Sequence, residues 1–288
     1  MSLNFSNCTL ILGSGIHKAF GQVPSALNDW SILLEEVCNE FTLPLRKDKL
    51  NLLSYKFEDY ITDYCDLYQV SSHTAEDKLK KCIAKRLRVL SKSQHNEQYL
   101  EFLSKFHPSQ ILSLNVDNLF VEDKKTLKIS KTIGNVAFET KGVCDGIPIY
   151  FLNGNIKKSS SMNFGMRSLA NQIVAYENQF KKFKQLERKN NFNIQEILNQ
   201  DDTWFARFMY FPILIIGASV GEHELALRYL LNQRKRNFAN QPEYKTPVHI
   251  VLDSKSMSNV KYKDELTTVG VEPIVFKTYD QFWEGFTK

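Results

Sequence analysis

The sequence predicts an α/β fold, in which a Rossmann-like, doubly wound parallel sheet carries a helical subdomain formed by insertions. The first observation behind this prediction is a set of six short aliphatic runs. They are nearly continuous rather than alternating, which is typical of strands covered on both faces. The second observation is that helix-like segments separate most of these runs, as in a doubly wound sheet. The runs occupy residues 8–12, 110–114, 147–152, 211–216, 247–252 and 271–276.

Small and polar residues follow four of the six runs. In parallel sheets the carboxyl ends of the strands open into one crevice, where ligands bind. The sequence therefore predicts a single site built from several strand ends. The residues concerned are Gly13, Ser14 and Gly15 after the first run, Asn115, Asp117 and Asn118 after the second, Asn153 and Gly154 after the third, and Gly217 and Ser219 after the fourth.

The chain of 288 residues is interpreted as one domain, 1–288. A length of this order suits a single α/β core with insertions. The predicted core covers about 1–40, 105–156 and 210–288, and the insertions cover about 44–105 and 157–205, which have many charges and helical patterning. Within the first insertion, the segment 78–90 places basic residues opposite an apolar face. We interpret them as a solvated face, with a nucleic-acid or membrane helix as the alternative.

Charge and cysteine content narrow the class of protein. Lysine and arginine number 37 against 32 acidic residues, a net charge of +5 that does not indicate general nucleic-acid binding. The five cysteines are scattered, without a C-x-x-C pair, which argues against structural zinc and favours a reducing compartment. No apolar stretch approaches the roughly 20 residues of a membrane span. We therefore expect a cytoplasmic protein without a metal and without a membrane segment.

The glycine turn after the first run has two interpretations. Gly13 and Gly15 would let the backbone approach a pyrophosphate at the start of a following helix, where N–H groups point outwards. The G-x-G-x-x-G fingerprint is incomplete, however, so an ordinary turn is the alternative. His17 is either a ligand contact or a surface histidine, the second being favoured by its position in a turn.

Two further polar groups also have a functional and a structural interpretation. Asn115 and Asp117 can hold ribose hydroxyls and orient a water molecule, or they can stabilise a turn or helix cap. Ser219 and Glu222 can contact a nucleotide, or they can form a capping box. Both interpretations of Ser219 require a helix to begin at this point.

Taken in order, these motifs resemble the sirtuin-like family, in its prokaryotic branch of antiviral NAD-degrading effectors. The family pattern is G-A-G-x-S, then T-T-N-x-D-x-L, then an aromatic strand ending in H-G, then G-x-S-x-x-D. A closing strand and an aromatic helix follow. The corresponding segments here are 13–17, 113–119, 150–154, 217–222, and 269–274 with 279–283.

The resemblance implies a role for each site residue. Asn115 would orient the catalytic water or the ribose, and Asp117 would support the nicotinamide ribose. Asn153 stands where the family has its catalytic histidine, and a neutral amide cannot accept a proton as a base at pH 7. The remaining residues would contact NAD: Gly13, Ser14, Gly15, His17, Gly154, Gly217, Ser219 and Glu222.

The resemblance implies an NAD glycohydrolase that releases nicotinamide and ADP-ribose, as a toxic effector of antiphage defence. Because uncontrolled NAD destruction harms the host, we expect a separate sensor or regulatory protein, or assembly into a homo-oligomer or hetero-complex. The alternative is a non-enzymatic NAD or ADP-ribose binding subunit that regulates a partner. A deacetylase is disfavoured because the four-cysteine zinc module is missing, and a dehydrogenase because the glycine fingerprint is incomplete.

Overall fold

The computed structural model describes residues 7–20, 24–45, 53–92, 96–104, 106–121, 127–130, 136–221, 224–239 and 241–282. Its centre is a seven-stranded sheet. The six predicted strands are present, each within two residues of its predicted bounds. The strands are β1 (Thr9–Leu12), β2 (Gln110–Ser113), β3 (Lys141–Cys144), β4 (Ile147–Phe151), β5 (Ile213–Ile216), β6 (Val248–Asp253) and β7 (Glu272–Phe276).

The strand order across the sheet is β3-β4-β2-β1-β5-β6-β7. All neighbours are parallel except β3 and β4. Counted along the chain, the six parallel strands have the order 3-2-1-4-5-6, which is the arrangement of Rossmann folds. The predicted fold class is therefore confirmed. The order reverses between β1 and β5, the position at which such sheets bind ligands.

Strand β3 is absent from the sequence prediction. It forms an antiparallel hairpin with β4 through a two-residue turn, Asp145-Gly146, whose φ angles are +50° and +74°. An Asp-Gly pair in which both residues have left-handed φ angles is a strong sequence signal for a hairpin with a two-residue turn. The sequence therefore contains the hairpin signal, but the apolar segment before Asp145 is too short to predict a strand.

Helices cover both faces of the sheet. Leu10 and Leu12 of β1 pack into one hydrophobic cluster, and Ile11 packs into the other. The longer helices are α2 (Trp30–Glu40), α3 (Leu53–Tyr68), α4 (Ser72–Lys92), α5 (Asn96–Ser104), α7 (Met166–Lys189), α8 (Ile194–Gln200), α9 (Phe205–Tyr210), α10 (Leu225–Asn237) and α12 (Val260–Val269). The short ones are α1 (Ser25–Asn28), α6 (Val136–Glu139) and α11 (Ser254–Met257).

The two predicted insertions are helical. The first supplies α3, α4 and α5 to one hydrophobic cluster, and the second supplies α7 and α8 to the other. They meet where Phe57 of α3 packs against Phe164, with ring centroids 5.7 Å apart. This contact lies beside the carboxyl ends of the strands, so the insertions help to wall the predicted site. In the part of the chain that the structure describes, no helix is both long and apolar enough to span a membrane.

The basic face of α4 is largely solvated. Lys81 and Lys85 are exposed and lie near Asp77 and Glu40, respectively. Lys80 is the exception, because it is buried and its ammonium lies 2.6 Å from the carboxylate of Glu76. Exposed ion pairs of this kind contribute little to stability and are typical of a solvated helix surface. The solvated-face interpretation therefore accounts for Lys81 and Lys85, but not for Lys80.

Candidate functional site

The glycine turn after β1 packs directly against the loop after β5. Gly15 donates its backbone N–H to the carbonyl of Gly217 at 2.8 Å, and Gly13 donates to the carbonyl of Ile216 at 2.9 Å. A Cβ on Gly13 would lie 2.5 Å from the Gly217 oxygen, and a Cβ on Gly217 would lie 2.2 Å from the nitrogen of Ile16. Gly217 also has a φ of +68°. These glycines are therefore required by the close approach of two loops, whether or not a ligand is bound.

The helix expected after this turn is a 3₁₀ helix, Ser14–Phe20. Such a helix is tighter than an α-helix and has poorer hydrogen-bond geometry. The N–H groups of Gly13, Gly15 and Ile16 already donate to protein carbonyls. A pyrophosphate here would therefore meet small side chains and hydroxyls more than open backbone N–H groups.

A cavity of about 400 Å³ lies over the two loops. It brings together five of the residues predicted to bind a nucleotide, namely Gly13, Ser14, Gly15, Gly217 and Ser219. The start of α2 forms the opposite wall, where Asp29 caps its own helix by accepting the N–H of Ser31 at 2.8 Å. The remaining lining residues are Trp30, Leu53, Ala218 and Glu224.

A smaller cavity of about 60 Å³ adjoins the first. Both are lined by Trp30, Leu53 and Glu224, so they form two parts of one cleft, which we call the carboxyl-end cleft. The smaller part reaches Asn153, after β4. Its other lining residues are Ser54, Asn163, Phe164, Leu169, Gln172, Leu225 and Ala226.

Asn115, Asp117 and His17 form a buried polar cluster between β1 and β2. The Nε2 atom of His17 lies 3.2 Å from Oδ2 of Asp117 and 3.4 Å from Nδ2 of Asn115. The fractional exposures of Asn115, Asp117 and His17 are 2%, 4% and 0%. Neither Asn115 nor Asp117 is among the described residues that line the two parts of the cleft. The expectation that His17 is a surface histidine is wrong, because its ring is enclosed beside Asp117 and Phe120.

The chemistry of this cluster is set by Asp117. Burial alone would raise the pKa of its carboxyl, but the charge and hydrogen bond of His17 and the N–H of Leu119 outweigh burial and lower that pKa. The bond from Leu119, 3.0 Å long, is the local turn bond that the structural interpretation expected. Asn115 differs, since its Oδ1 is buried and has no hydrogen-bond partner among the residues that the structure describes. A buried acceptor of this kind is suited to a water or ligand hydroxyl.

Asp117→Asn is expected to lower the free energy of unfolding at neutral pH by about 1–2 kcal/mol, because His17 loses a charged partner. Since folding lowers the pKa of Asp117, its stabilisation is present above the ordinary aspartate pKa and is lost as pH falls through the folded pKa. Urea unfolding should therefore show the gap between wild type and variant closing below about pH 4. A gap that is constant with pH would contradict a stabilising His17–Asp117 charge interaction.

The side chain of Asn153 is held by hydrogen bonds. Its Nδ2 donates to the carbonyl of Leu114 at 2.9 Å, and its Oδ1 lies 3.4 Å from Nε2 of Gln172. Gly154, which follows it, has a φ of +82°, and a Cβ there would lie 2.0 Å from the carbonyl oxygen of Ser161. Gly154 is required by this contact and does not line either part of the cleft. Asn153 therefore borders the smaller cavity while also joining the ends of β2 and β4.

The capping box predicted for Ser219 and Glu222 spans residues that the structure describes only in part. Helix α10 begins at Leu225, and its N-cap is Glu224, whose side chain makes no capping hydrogen bond. Ser219 lies six positions from Leu225 and lines the larger cavity instead. Glu222 falls outside the described residues. The predicted helix is present, and its described α-helical part begins at Leu225.

Glu224 is the site residue that sequence reasoning missed. Its side chain is half-buried and lines both parts of the carboxyl-end cleft. Burial raises the pKa of its carboxyl to about 8. Its sequence neighbours give no sign of this, because the spacing from Ser219 directs attention to Glu222. The carboxyl is enclosed where α10 packs against α7 and where Trp30 of α2 borders the same cleft.

No group of histidine, cysteine, aspartate and glutamate residues capable of holding a metal occurs within the described ranges. The five cysteines are free thiols. Burial raises the pKa of Cys8, Cys38 and Cys82 to about 12, so these thiols stay protonated at neutral pH. The described side chains that line the cleft carry carboxyl, amide and hydroxyl groups and aromatic rings.

Comparison of the chain with models of known protein families finds no match. Comparison with curated proteins finds no match either. Fold and cleft nevertheless define a class, namely a Rossmann-like α/β protein with a cleft at the point where its strand order reverses.

Proposed function

We propose that this chain binds NAD in the carboxyl-end cleft and hydrolyses it to nicotinamide and ADP-ribose, as a member of the sirtuin-like family. One observation carries the proposal: the larger cavity lies over the β1 and β5 loops, at the reversal of strand order. Dinucleotides bind Rossmann-like sheets at this position. The smaller cavity beside Asn153 supplies a second compartment, as a two-part ligand requires.

The two parts of the cleft suggest an orientation for NAD. The pyrophosphate belongs near Ser14 and Ser219, where small residues allow close approach. The nicotinamide ribose belongs near Asn153, the position of the catalytic histidine in the family pattern. Asn115 and Asp117 belong to the loop after β2 and are buried beside His17, and in this proposal they act on the ribose from that side. The Oδ1 atom of Asn115 lacks a hydrogen-bond partner among the described residues, which supports a role for Asn115 in holding water or a ribose hydroxyl.

The reaction needs little base catalysis at its start. As the bond from C1′ to the pyridinium nitrogen breaks, the ring nitrogen keeps the electron pair, and nicotinamide leaves as a neutral molecule. Water then bonds to the electron-poor C1′ and loses one proton to solvent or to a cleft group. Stabilising the positive ribose and placing the water are therefore the main demands on the protein. These demands can be met without a histidine at position 153.

A second candidate is a non-enzymatic subunit that binds NAD or ADP-ribose and regulates a partner. The observation that favours it is Asn153, because its amide lacks a basic atom and both its polar atoms face protein groups. For either candidate, a separate sensor or a change of oligomeric state would control activity. An antiphage role follows only from the enzymatic candidate, through depletion of cellular NAD.

Nicotinamide release from NAD separates the two candidates, and Asn153 is the position to vary. In the enzymatic case Asn153→Ala should lower the rate by roughly 10- to 100-fold, through the loss of about 1–3 kcal/mol of transition-state stabilisation. Asn153→His should keep or raise the rate. The assay is run over a range of protein concentrations, with and without lysate of infected cells. In the binding-subunit case NAD binds but the wild-type protein releases no nicotinamide under any of these conditions.

A further inference from the structure

The carboxyl of Glu224 lies at a position where it can help to determine which ligand the cleft binds. Its carboxyl borders both compartments, together with Trp30 and Leu53. The ring of Trp30 packs on Phe164 with centroids 5.0 Å apart, and both rings line the smaller compartment. The region around Asn153 is thus walled by two aromatic rings and one carboxyl. Aromatic faces and carboxylates both attract cations.

Among the described residues, the groups near Glu224 supply no positive charge to it. Asp29 faces the cleft from α2 and accepts a hydrogen bond from its own helix, and α7 contributes the hydroxyl of Tyr176. One turn along α10, Arg228 pairs with Glu265, 3.9 Å away. Among the described residues that line the two compartments, none is a lysine, arginine or histidine. A cationic ligand in the cleft would therefore give this carboxyl a positive partner that the described lining residues do not provide.

NAD in its oxidised form carries such a charge on its pyridinium ring, whereas the dihydropyridine ring of NADH is neutral. We propose that Glu224, with Trp30 and Phe164, recognises the pyridinium cation and makes the cleft selective for oxidised NAD over NADH. This inference rests on the proposed function for the site, and it adds a residue that discriminates between two forms of the same ligand. It requires no chemical step.

Recognition of a cation by this carboxyl must be linked to pH. In the free protein burial raises the pKa of Glu224 to about 8, so the carboxyl is mostly protonated at neutral pH. A bound pyridinium favours the carboxylate and lowers that pKa, so binding releases a proton. The affinity for the cation should therefore rise with pH up to about 8, while the affinity for NADH should not.

The experiment is isothermal titration calorimetry with carba-NAD, which keeps the pyridinium but has a stable bond to the ring, and with NADH and ADP-ribose. Wild-type protein should bind carba-NAD roughly 20-fold more tightly at about pH 8.5 than at about pH 6.5, whereas its affinities for NADH and ADP-ribose should be nearly unchanged. At the lower pH, repeating the titration in buffers of different ionisation enthalpy should reveal release of nearly one proton with carba-NAD alone.

The variant is Glu224→Gln, and the matched control is Asp29→Asn, which neutralises the other cleft carboxyl and keeps a good N-cap. In Glu224→Gln the pH dependence and the preference for carba-NAD over NADH should disappear, with NADH affinity retained. In Asp29→Asn both should persist. Equal, pH-independent binding of carba-NAD and NADH to wild-type protein would overturn the inference and leave the proposed function standing. Binding of none of the three probes would overturn both.

Discussion

Gly217→Ala is expected to lower the free energy of unfolding by roughly 3–5 kcal/mol, and Gly270→Ala by only about 1 kcal/mol. The two glycines share a left-handed backbone, with φ of +68° and +73°. An alanine in this conformation costs about 1–2 kcal/mol at either position. The difference in stability loss between the two variants comes from the atoms that surround each Cβ position. A Cβ at Gly217 would lie 2.2 Å from the Ile16 nitrogen, whereas at Gly270 the nearest atom is Lys235 Cδ, 3.5 Å away.

Urea denaturation of the two variants measures this difference directly. Gly146→Ala is a third comparison, because its φ is +74° and nothing lies within 4 Å of its Cβ position. Gly146→Ala and Gly270→Ala should therefore resemble each other, and Gly217→Ala should stand apart. Equal losses in all three would mean that the β1 and β5 loops can separate at little cost, contrary to the packing described above.

The packing of these loops also affects how glycine variants are interpreted. Gly15→Val is expected to abolish NAD binding, but a Cβ on Gly15 would lie 2.9 Å from the carbonyl oxygen of Gly217. The substitution therefore displaces the β5 loop as well as filling the space for a phosphate. Loss of NAD binding in Gly15→Val would therefore have two causes, displacement of the β5 loop and filling of the phosphate space. Only a variant that retains its stability separates these two causes. Substitutions in side chains of the cleft, such as Glu224→Gln, are cleaner tests.

The sequence predicts the sheet well because its signals are local. A strand covered on both faces is rich in aliphatic residues without strict alternation, so β1, β2, β5 and β6 can be predicted from their short aliphatic runs. The polar residues that follow them identify the edge of the sheet where Gly13, Ser14 and Ser219 meet. Strand β3 depends instead on a two-residue turn and a partly exposed edge, and its pattern is too weak to recognise.

The residues that the sequence does not predict are those whose environment comes from distant segments. His17 is buried because Asp117, one hundred positions away, lies against its ring. Glu224 has a raised pKa because its carboxyl is buried in the cleft, where α10 packs against α7 and Trp30 of α2 forms one wall. Burial and charge of this kind depend on packing between elements, and spacing along the chain does not encode them. The sequence pattern therefore favours a surface position for His17 and directs attention to Glu222 rather than to Glu224.

Asn115→Ala is expected to have the largest effect on turnover. Under conditions in which the wild-type protein releases nicotinamide, the variant should be slower by roughly 100- to 1,000-fold, as when a group that orients water or stabilises charge is removed. Its stability should hardly change. Within the described part of the chain, Oδ1 of Asn115 has no hydrogen-bond partner to lose, and the contact of its Nδ2 with His17, at 3.4 Å, is long. Removing an unsatisfied buried acceptor relieves a desolvation cost that offsets the small cavity left behind.

Asn118→Ala is the matched control in the same loop and should show the opposite pattern. Its Oδ1 accepts a hydrogen bond from Nδ2 of Asn155 at 2.6 Å, and Asn155 is fully buried. Losing this bond should lower the free energy of unfolding by roughly 1–3 kcal/mol and leave the rate per folded molecule nearly unchanged. Melting curves and single-turnover rates on both variants compare the two positions. If Asn115→Ala keeps its rate, or loses as much stability as Asn118→Ala, then Asn115 stabilises the β2 turn and the catalytic role proposed for it is wrong.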